Sequence, residues 1–596
     1  MLRAVALSTI VLLLSACGSS APPDSAAIPE EPAPSPAVFD RVAADPTAPG
    51  LSAASSQLYD FGRISVHDEV SGDSYESDVR GIAWYPQSPA GRLPVLVWLH
   101  GRHQTCQLVI GGLPLLGVGD DDCPTGIPLF ESAPSYRGYD AAAELLATQG
   151  YLVLSIDLND VNDNDNTAPT DRGALARAEL ALEHLDRFRA IDAAGGEGFD
   201  ALKGHLDFQR VGLMGHSRGG IGILKAAQEN ALRPTETRYG IRALFGLAPD
   251  TSGLNIGAAA YEVEPDTAWA ALIGYCDGDA SDFFGSYYFD RNRLRADLAA
   301  PRYQLIAMGA NHNYYNTEWT GSDDWTLQDS NSSDPHCGRS SGERDSVEDQ
   351  QAQLQYFLSS YFRWFVGSEA AYAGYWQARE AVPDSVCAST RADCPGRFHY
   401  SRWPLPADRL AVLSYAADSG TDRNTLGGPV TLENLSASLC TPDDGGDDPP
   451  SGGHGCPADP TFSRIPQLAL SWSGAASLRA EFAAQDVRGY WRLALRLGLN
   501  GAEGANPPTG QDFEIVLSDR TGRSAHLRAA DWSDALFVPP GDPYADGGSQ
   551  RTLLHGVYLP LAAFTGIDRG AVTAVELRFD ATPSGQLQLA DLQFER

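Results

Sequence analysis

The sequence predicts a doubly wound α/β domain followed by an all-β sandwich. Three observations carry that expectation. From about residue 56 to 367, short continuous apolar runs alternate with stretches of helical period, as buried parallel strands and their covering helices do. After about residue 404 the helical period fades. Short alternating runs such as Val575-Glu576-Leu577-Arg578-Phe579 follow, separated by Gly, Pro, Asn and Asp. A length of 596 residues also asks for more than one domain.

Taken in order, residues 1–17 read as an export signal, with Arg3 as its positive end and an apolar core over 5–14 that is too short to span a membrane. Leu14-Ser15-Ala16-Cys17 is similar to a bacterial lipobox. By that similarity Cys17 is the lipidation site, and the mature protein is extracytoplasmic, lipid-anchored at a bacterial membrane or cell surface. No later segment is long and apolar enough to span. Residues 18–55, rich in Pro, Ala and Ser, read as a flexible tether. Residues 56–367 form the α/β domain, with strands expected at 59–66, 78–85, 93–99, 151–157, 211–214, 241–247, 268–275 and 302–308. Helices are expected at 139–148, 172–193, 220–229 and 346–366, the last with Leu354, Phe357, Leu358, Tyr361, Phe362 and Phe365 along one stripe. Residues 368–404 read as a connecting segment. The β-domain, 405–596, has strands expected at 410–415, 468–472, 478–482, 490–497, 513–517, 525–530, 553–559, 572–579 and 586–594.

The formal charge of −34 sets the chain against nucleic acid as a partner. Besides Cys17, the nine cysteines leave an even set of eight, which in an exported chain implies disulfides. Sequence does not fix connectivity. Pairing in order is expected: Cys106 with Cys123, Cys276 with Cys337, Cys387 with Cys394, and Cys440 with Cys456. No Cys-x-x-Cys points to zinc.

The chemistry centres on Gly215-His216-Ser217-Arg218-Gly219-Gly220, which follows an apolar run and precedes a helical one: strand, tight turn, helix, with a serine at the apex. A serine hydroxyl needs a base within reach and a third group to orient that base. The run 271–279 ends one expected strand in Asp277 and Asp279, and the run 304–313 ends the next in His312. Over residues 56–367 this constellation resembles the α/β-hydrolase superfamily, and within it secreted esterases, lipases and polyesterases. By that resemblance Ser217 is the nucleophile, His312 the general base and Asp277 the orienting acid, with Asp279 its rival. The turn Leu99-His100-Gly101-Arg102-His103 supplies one oxyanion-hole amide, from Arg102 or His103, and Arg218 supplies the other. The implied reaction is hydrolysis of a carboxylic ester through an acyl-enzyme.

No cofactor and no catalytic metal are expected. His100 and His103 have an H-x-x-H spacing but no acidic or cysteine partner beside them. The oxygen-rich run from Asp157 to Asn166 is open to a structural calcium, but it lacks the glycine and terminal glutamate of an EF-hand loop and reads as a solvated loop near the site's mouth.

Residues 585–594, together with Leu559-Pro560-Leu561-Ala562-Ala563-Phe564, resemble the last strands of galactose-binding-like jelly rolls. That resemblance implies a glycan partner, with Trp472, Trp491, Trp532 and Tyr544 as stacking candidates against the alternative that they are core. The leading expectation is an extracytoplasmic serine hydrolase whose β-domain holds it on a polymeric ester or polysaccharide. The alternatives are a serine peptidase or amidase using the same triad, and a non-catalytic glycan-binding surface lipoprotein. The intact Ser, His and acid set argues against the latter.

Overall fold

The computed structural model describes residues 44–596, apart from 111–112, 118–122, 124–128, 166–170, 251–261, 281–282, 284, 294, 321–332, 339, 380–381, 384–385, 388–396, 417–418, 442–455, 457–464, 534, 543–548, 552–553 and the side chains of 113–117. The export signal, Cys17, most of the tether, Cys394 and Tyr544 lie outside the described residues.

The first half of the chain runs β1 (Ala54–His67), β2 (Ser74–Pro86), β3 (Leu93–Leu99), β4 (Cys106–Ile110), β5 (Leu113–Gly117), β6 (Phe130–Ser132), α1 (Asp140–Thr148), β7 (Leu152–Ile156), α2 (Asn159–Asn164), α3 (Ala174–Ala194), β8 (Leu206–His216), α4 (Arg218–Leu232), β9 (Ile241–Leu247), β10 (Ala268–Gly274), α5 (Gly285–Asn292), β11 (Arg302–Ala307), α6 (Val347–Phe365), α7 (Ala373–Trp376) and β12 (Phe398–Trp403). Nine of these strands form one sheet in the order β1-β2-β7-β3-β8-β9-β10-β11-β12. The pairs from β7 through β11 are parallel, and the two edges are antiparallel.

Both faces are covered, which is why β3 reads as an unbroken apolar run. Val95, Val97 and Leu99 join the cluster of α3 and α4, while Leu96 and Trp98 join that of α1 and α6. Helix α6 starts at a capping box made by Ser346 and Asp349. Among the described residues, no helix is long and apolar enough to cross a membrane.

The second half runs β13 (Arg409–Ser414), β14 (Val430–Cys440), β15 (Gln467–Gln485), β16 (Arg492–Leu499), β17 (Glu514–Asp519), β18 (Ser524–Arg528), β19 (His555–Pro560), β20 (Val572–Phe579) and β21 (Ser584–Glu595). All pair antiparallel in a second nine-stranded sheet. Strand β15 pairs with β21 over 468–473 and with β20 from 476 onward. Its neighbour β14 shifts register between Glu433 and Leu435, opposite that switch. The sheet thereby folds over one apolar core that includes Leu470, Trp472, Leu478, Phe579 and Leu589.

Several expectations change. Residues 368–404 are not a plain connector, because they carry α7 and β12, the last strand of the first sheet. Residues at the end of the expected tether are packed: Gln149 Nε2 donates to the carbonyls of Pro46 (2.8 Å) and Ala48 (2.9 Å). The runs 468–472 and 478–482 belong to the single strand β15. Trp472 is core, stacked on Phe579 at 4.5 Å, and Trp491 lies under the Arg379 guanidinium at 3.0 Å.

Disulfides join Cys106 to Cys123, Cys276 to Cys337 and Cys440 to Cys456, as pairing in order requires. Cys387 is also disulfide-bonded.

The two sheets meet along β12 and β19. His399 stacks on His555 at 3.9 Å, and the Tyr558 hydroxyl accepts from the Arg402 amide at 2.8 Å. Buried charges cross the seam: Arg496 with Asp290, Arg293 with Asp591 at 3.7 Å, and Arg402 with Glu595 within β12 and β21 at 3.6 Å.

Candidate active site

Ser217 lies between the end of β8 and the start of α4, with φ 55° and ψ −126°. A non-glycine residue there costs on the order of 1–3 kcal/mol and persists only where its surroundings enforce it. Here the Ser217 amide donates to the Leu247 carbonyl at 3.0 Å, and its own carbonyl accepts from Gly220 (2.8 Å) and Asp250 (3.1 Å). Glycine is required on both sides of the serine's approach. A Cβ on Gly215 would lie 2.1 Å from the Gly219 carbonyl oxygen, and one on Gly101 would lie 2.4 Å from Ser217 Cβ.

At the end of β10, Asp277 is 1% exposed. Its Oδ1 accepts from the amides of Asp279 (3.0 Å) and Ala280 (2.7 Å), and its Oδ2 lies 2.8 Å from His312 Nδ1. An ionised carboxylate only accepts, so Nδ1 donates and, in the neutral ring, the lone pair sits on Nε2. Asp279 is different: its side chain is 60% exposed and stands 3.6 Å from Nε2. The geometry thus separates two acids that sequence left as rivals.

The His312 loop is clamped from two sides. Gln350 of α6 accepts from the Asn311 amide (3.0 Å) and donates to its carbonyl (2.9 Å). On the other side His216 Nε2 lies 3.0 Å from the His312 carbonyl and Nδ1 lies 2.9 Å from the Tyr139 hydroxyl. A carbonyl only accepts, so His216 donates through Nε2 and accepts a hydrogen bond from the Tyr139 hydroxyl at Nδ1. Burial, with His312 beside it, holds the His216 pKa well below the usual value, which keeps the ring neutral in that tautomer. Trp319 packs between His216 and His103, at 4.7 and 4.8 Å between ring centres.

The loop after β3 carries Arg102 and His103. His100 is fully buried; its Nε2 accepts from the Leu158 amide at 2.9 Å, so Nδ1 is the donor to the Gly101 carbonyl at 2.8 Å. Asn162 Nδ2 donates to the same carbonyl at 3.1 Å. His100 thus spends both ring nitrogens on the backbone, while His103 lays its ring face on Trp319.

The run 157–166 is not a solvated loop where it is described. Asp157, Asn159, Asn162 and Asp165 are all buried, on and around α2. Burial alone would raise the Asp157 carboxyl, but Arg80 (2.8 Å) and the Asn159 amide (2.9 Å) donate to it and carry it below the usual carboxylate range. Asp165 meets three arginines: Arg102 at 3.2 Å, Arg177 at 2.8 Å and Arg218 at 2.7 Å. Within that run, the oxygens of Asp157, Asn162 and Asp165 thus face arginines of the chain itself.

Among the described residues, one group of three metal-capable side chains lies close together, Cys276, His336 and Cys337, and its two sulfurs are joined to each other.

Sequence reading missed Tyr139, Trp319, Gln350, Asn162 and the role of Asp165. All are far in sequence from the serine; Tyr139, Trp319 and Gln350 carry no motif, and Asn162 and Asp165 stood in a run whose composition pointed to calcium or solvent instead. His216 stood inside the motif, but at a position where any residue is allowed.

No family model matches the chain. Among curated proteins it is similar to a bis(hydroxyethyl) terephthalate hydrolase of Streptomyces coelicolor, 28% identical over 206 residues, which cover 33% of this chain and 56% of that relative. The chain thus spans just over half the length of the relative it matches. The likeness is distant, and it is to an ester hydrolase.

Proposed function

We propose that this chain is a serine hydrolase of carboxylic esters with an α/β-hydrolase fold, working outside the cytoplasm. One observation carries the reading: His312 is held by Asp277 through Nδ1, on loops that also grip the strained turn bearing Ser217. The chain order Ser217, Asp277, His312, and a loop after β3 lying against the serine, are those of that fold.

In this reading Ser217 Oγ attacks the ester carbonyl as His312 Nε2 takes its proton. Asp277 stabilises the imidazolium, and the amides of Arg218 and of Arg102 or His103 stabilise the oxyanion. The alcohol leaves with the proton from His312. Water then repeats the sequence on the acyl-enzyme and regenerates the serine.

The terephthalate hydrolase relative makes esters of an aromatic acid the first substrates to try. Export and a lipid on Cys17 complete the proposal. The disulfides among the described residues fit an oxidising compartment.

The test is intact mass of the disulfide-bonded protein after fluorophosphonate, beside ester hydrolysis. The expected result is one adduct on the wild type and none on Ser217→Ala, whose hydrolysis falls by about 10⁴-fold or more. No adduct on folded wild type overturns the reading.

A further inference from the structure

We infer that Asp165 is a positioning residue that sets the spacing of the two oxyanion-donor loops. This rests on the ester-hydrolase reading above. Three elements distant in sequence converge on this one carboxylate, whose side chain is fully buried. Arg102 comes from the loop after β3, Arg218 is the first residue of α4, immediately after Ser217, and Arg177 comes from α3. Arg102 Nε and Arg218 Nη1 share a single oxygen, Oδ1, at 3.2 and 2.7 Å, and Arg177 Nη2 takes Oδ2 at 2.8 Å. The residues whose amides are the candidate oxyanion donors are therefore cross-linked through their side chains.

Arg177 makes the hub rigid. It also donates to Asn162 Oδ1 (2.6 Å) and to the Arg172 carbonyl (2.7 Å). Asn162 in turn holds the Gly101 carbonyl, together with His100. In a planar trans peptide the carbonyl and the next amide point opposite ways. Fixing the Gly101 oxygen therefore aims the Arg102 N–H away from His100 and Asn162. One chain of contacts thus governs both the orientation of one donor peptide and its distance from the other. Donors of this kind act through preorganisation, and a displacement of about 1 Å costs about 10²-fold in rate.

The test begins with fluorophosphonate labelling of the wild type. If Ser217 is not labelled, the ester-hydrolase reading fails and the inference goes with it. If it is labelled, Asp165→Asn and Asp165→Glu are compared with wild type on a chromogenic ester and a boronic acid that mimics the tetrahedral intermediate. The expected result for Asp165→Asn is a kcat about 10²-fold lower with KM within about threefold, and a matching loss of boronate affinity. Asp165→Glu should recover part of both. A purely structural role would lower active fraction while leaving the per-site kcat and boronate affinity unchanged, and that result overturns the inference while the ester-hydrolase reading stands.

Should Asp165→Asn fail to fold, a double-mutant cycle of Arg102→Gln and Arg218→Gln decides. Strong non-additivity in kcat supports a shared hub. Additive losses overturn it.

Discussion

The two nine-stranded sheets of this chain place their buried polar groups in opposite ways. The first is largely parallel and covered on both faces, and many of its buried polar groups gather toward the carboxyl ends of its strands: His100, Asp157, Asp165, His216, Asp277 and His312. The second is antiparallel and folded over an apolar core, and many of its buried charges, Arg492, Arg496, Arg551, Asp591 and Glu595, lie toward the seam with the first. A charge leaves water only where it meets a partner. In the first sheet the partners assemble a site, and in the second they fasten one domain to another. The Arg551 amide donates to the Tyr275 hydroxyl at 3.1 Å, two residues before Asp277, and that hydroxyl donates to the Pro540 carbonyl at 2.9 Å. Ser549 Oγ donates to Asp334 at 2.7 Å, near the disulfide that begins at Cys276. The β-domain braces the strand end that carries Asp277, which a module hung on a linker would not do.

The most severe way to break this comparison is to end the chain after Trp403. The first sheet would then lose Arg409 from over Trp403 and Arg496 from over Phe289, and strand Arg293 and Asp290 without their partners. The expected outcome is loss of soluble, ester-hydrolysing protein, read by expression yield and activity. A soluble truncated chain with full activity would make the second sheet a separable appendage.

Acid sharpens the contrast next. Burial depresses the His184 pKa to about 3, where it packs beneath the first sheet against the Tyr59 hydroxyl at 3.0 Å. Above pH 6.5 neither the folded nor the unfolded state holds this proton. Between about 6.5 and 3 only the unfolded state binds it, so stability is lost as pH falls through that window, on the order of a few kcal/mol. Urea midpoints from pH 7 to 4 should fall less steeply in His184→Gln than in wild type. Parallel slopes would refute the argument.

The smallest effect belongs to the second sheet's outer face. Arg578, 37% exposed, pairs with Glu576 at 2.6 Å. Arg578→Ala should cost no more than about 1 kcal/mol by thermal melting. A loss well beyond that would show that the second sheet leans on surface charge.

Much of the first sheet was legible because buried parallel strands leave continuous apolar runs: 93–99 and 241–247 coincide with β3 and β9. The serine turn was legible because glycine spacing is local. The clamps on His312 were not, since Gln350 and Tyr139 are ordinary helix-region residues until the fold brings them to the loop. Strand β12 was hidden because its residues, Phe-His-Tyr-Ser-Arg-Trp, lack the continuous apolar character of its neighbours. The inward turn of Asp157, Asn162 and Asp165 escaped notice because a run of acids and amides looks the same in sequence whether it meets water or arginine.

Strand β21 lies between β15 and β16 in the second sheet and also pairs with β13. A ribosome that has not yet delivered residues 584–595 has made β13 and two strand groups that nothing in the sheet yet joins, and a first sheet still without its brace. Closure of the second sheet waits for that one strand, and the bracing of the first sheet waits with it.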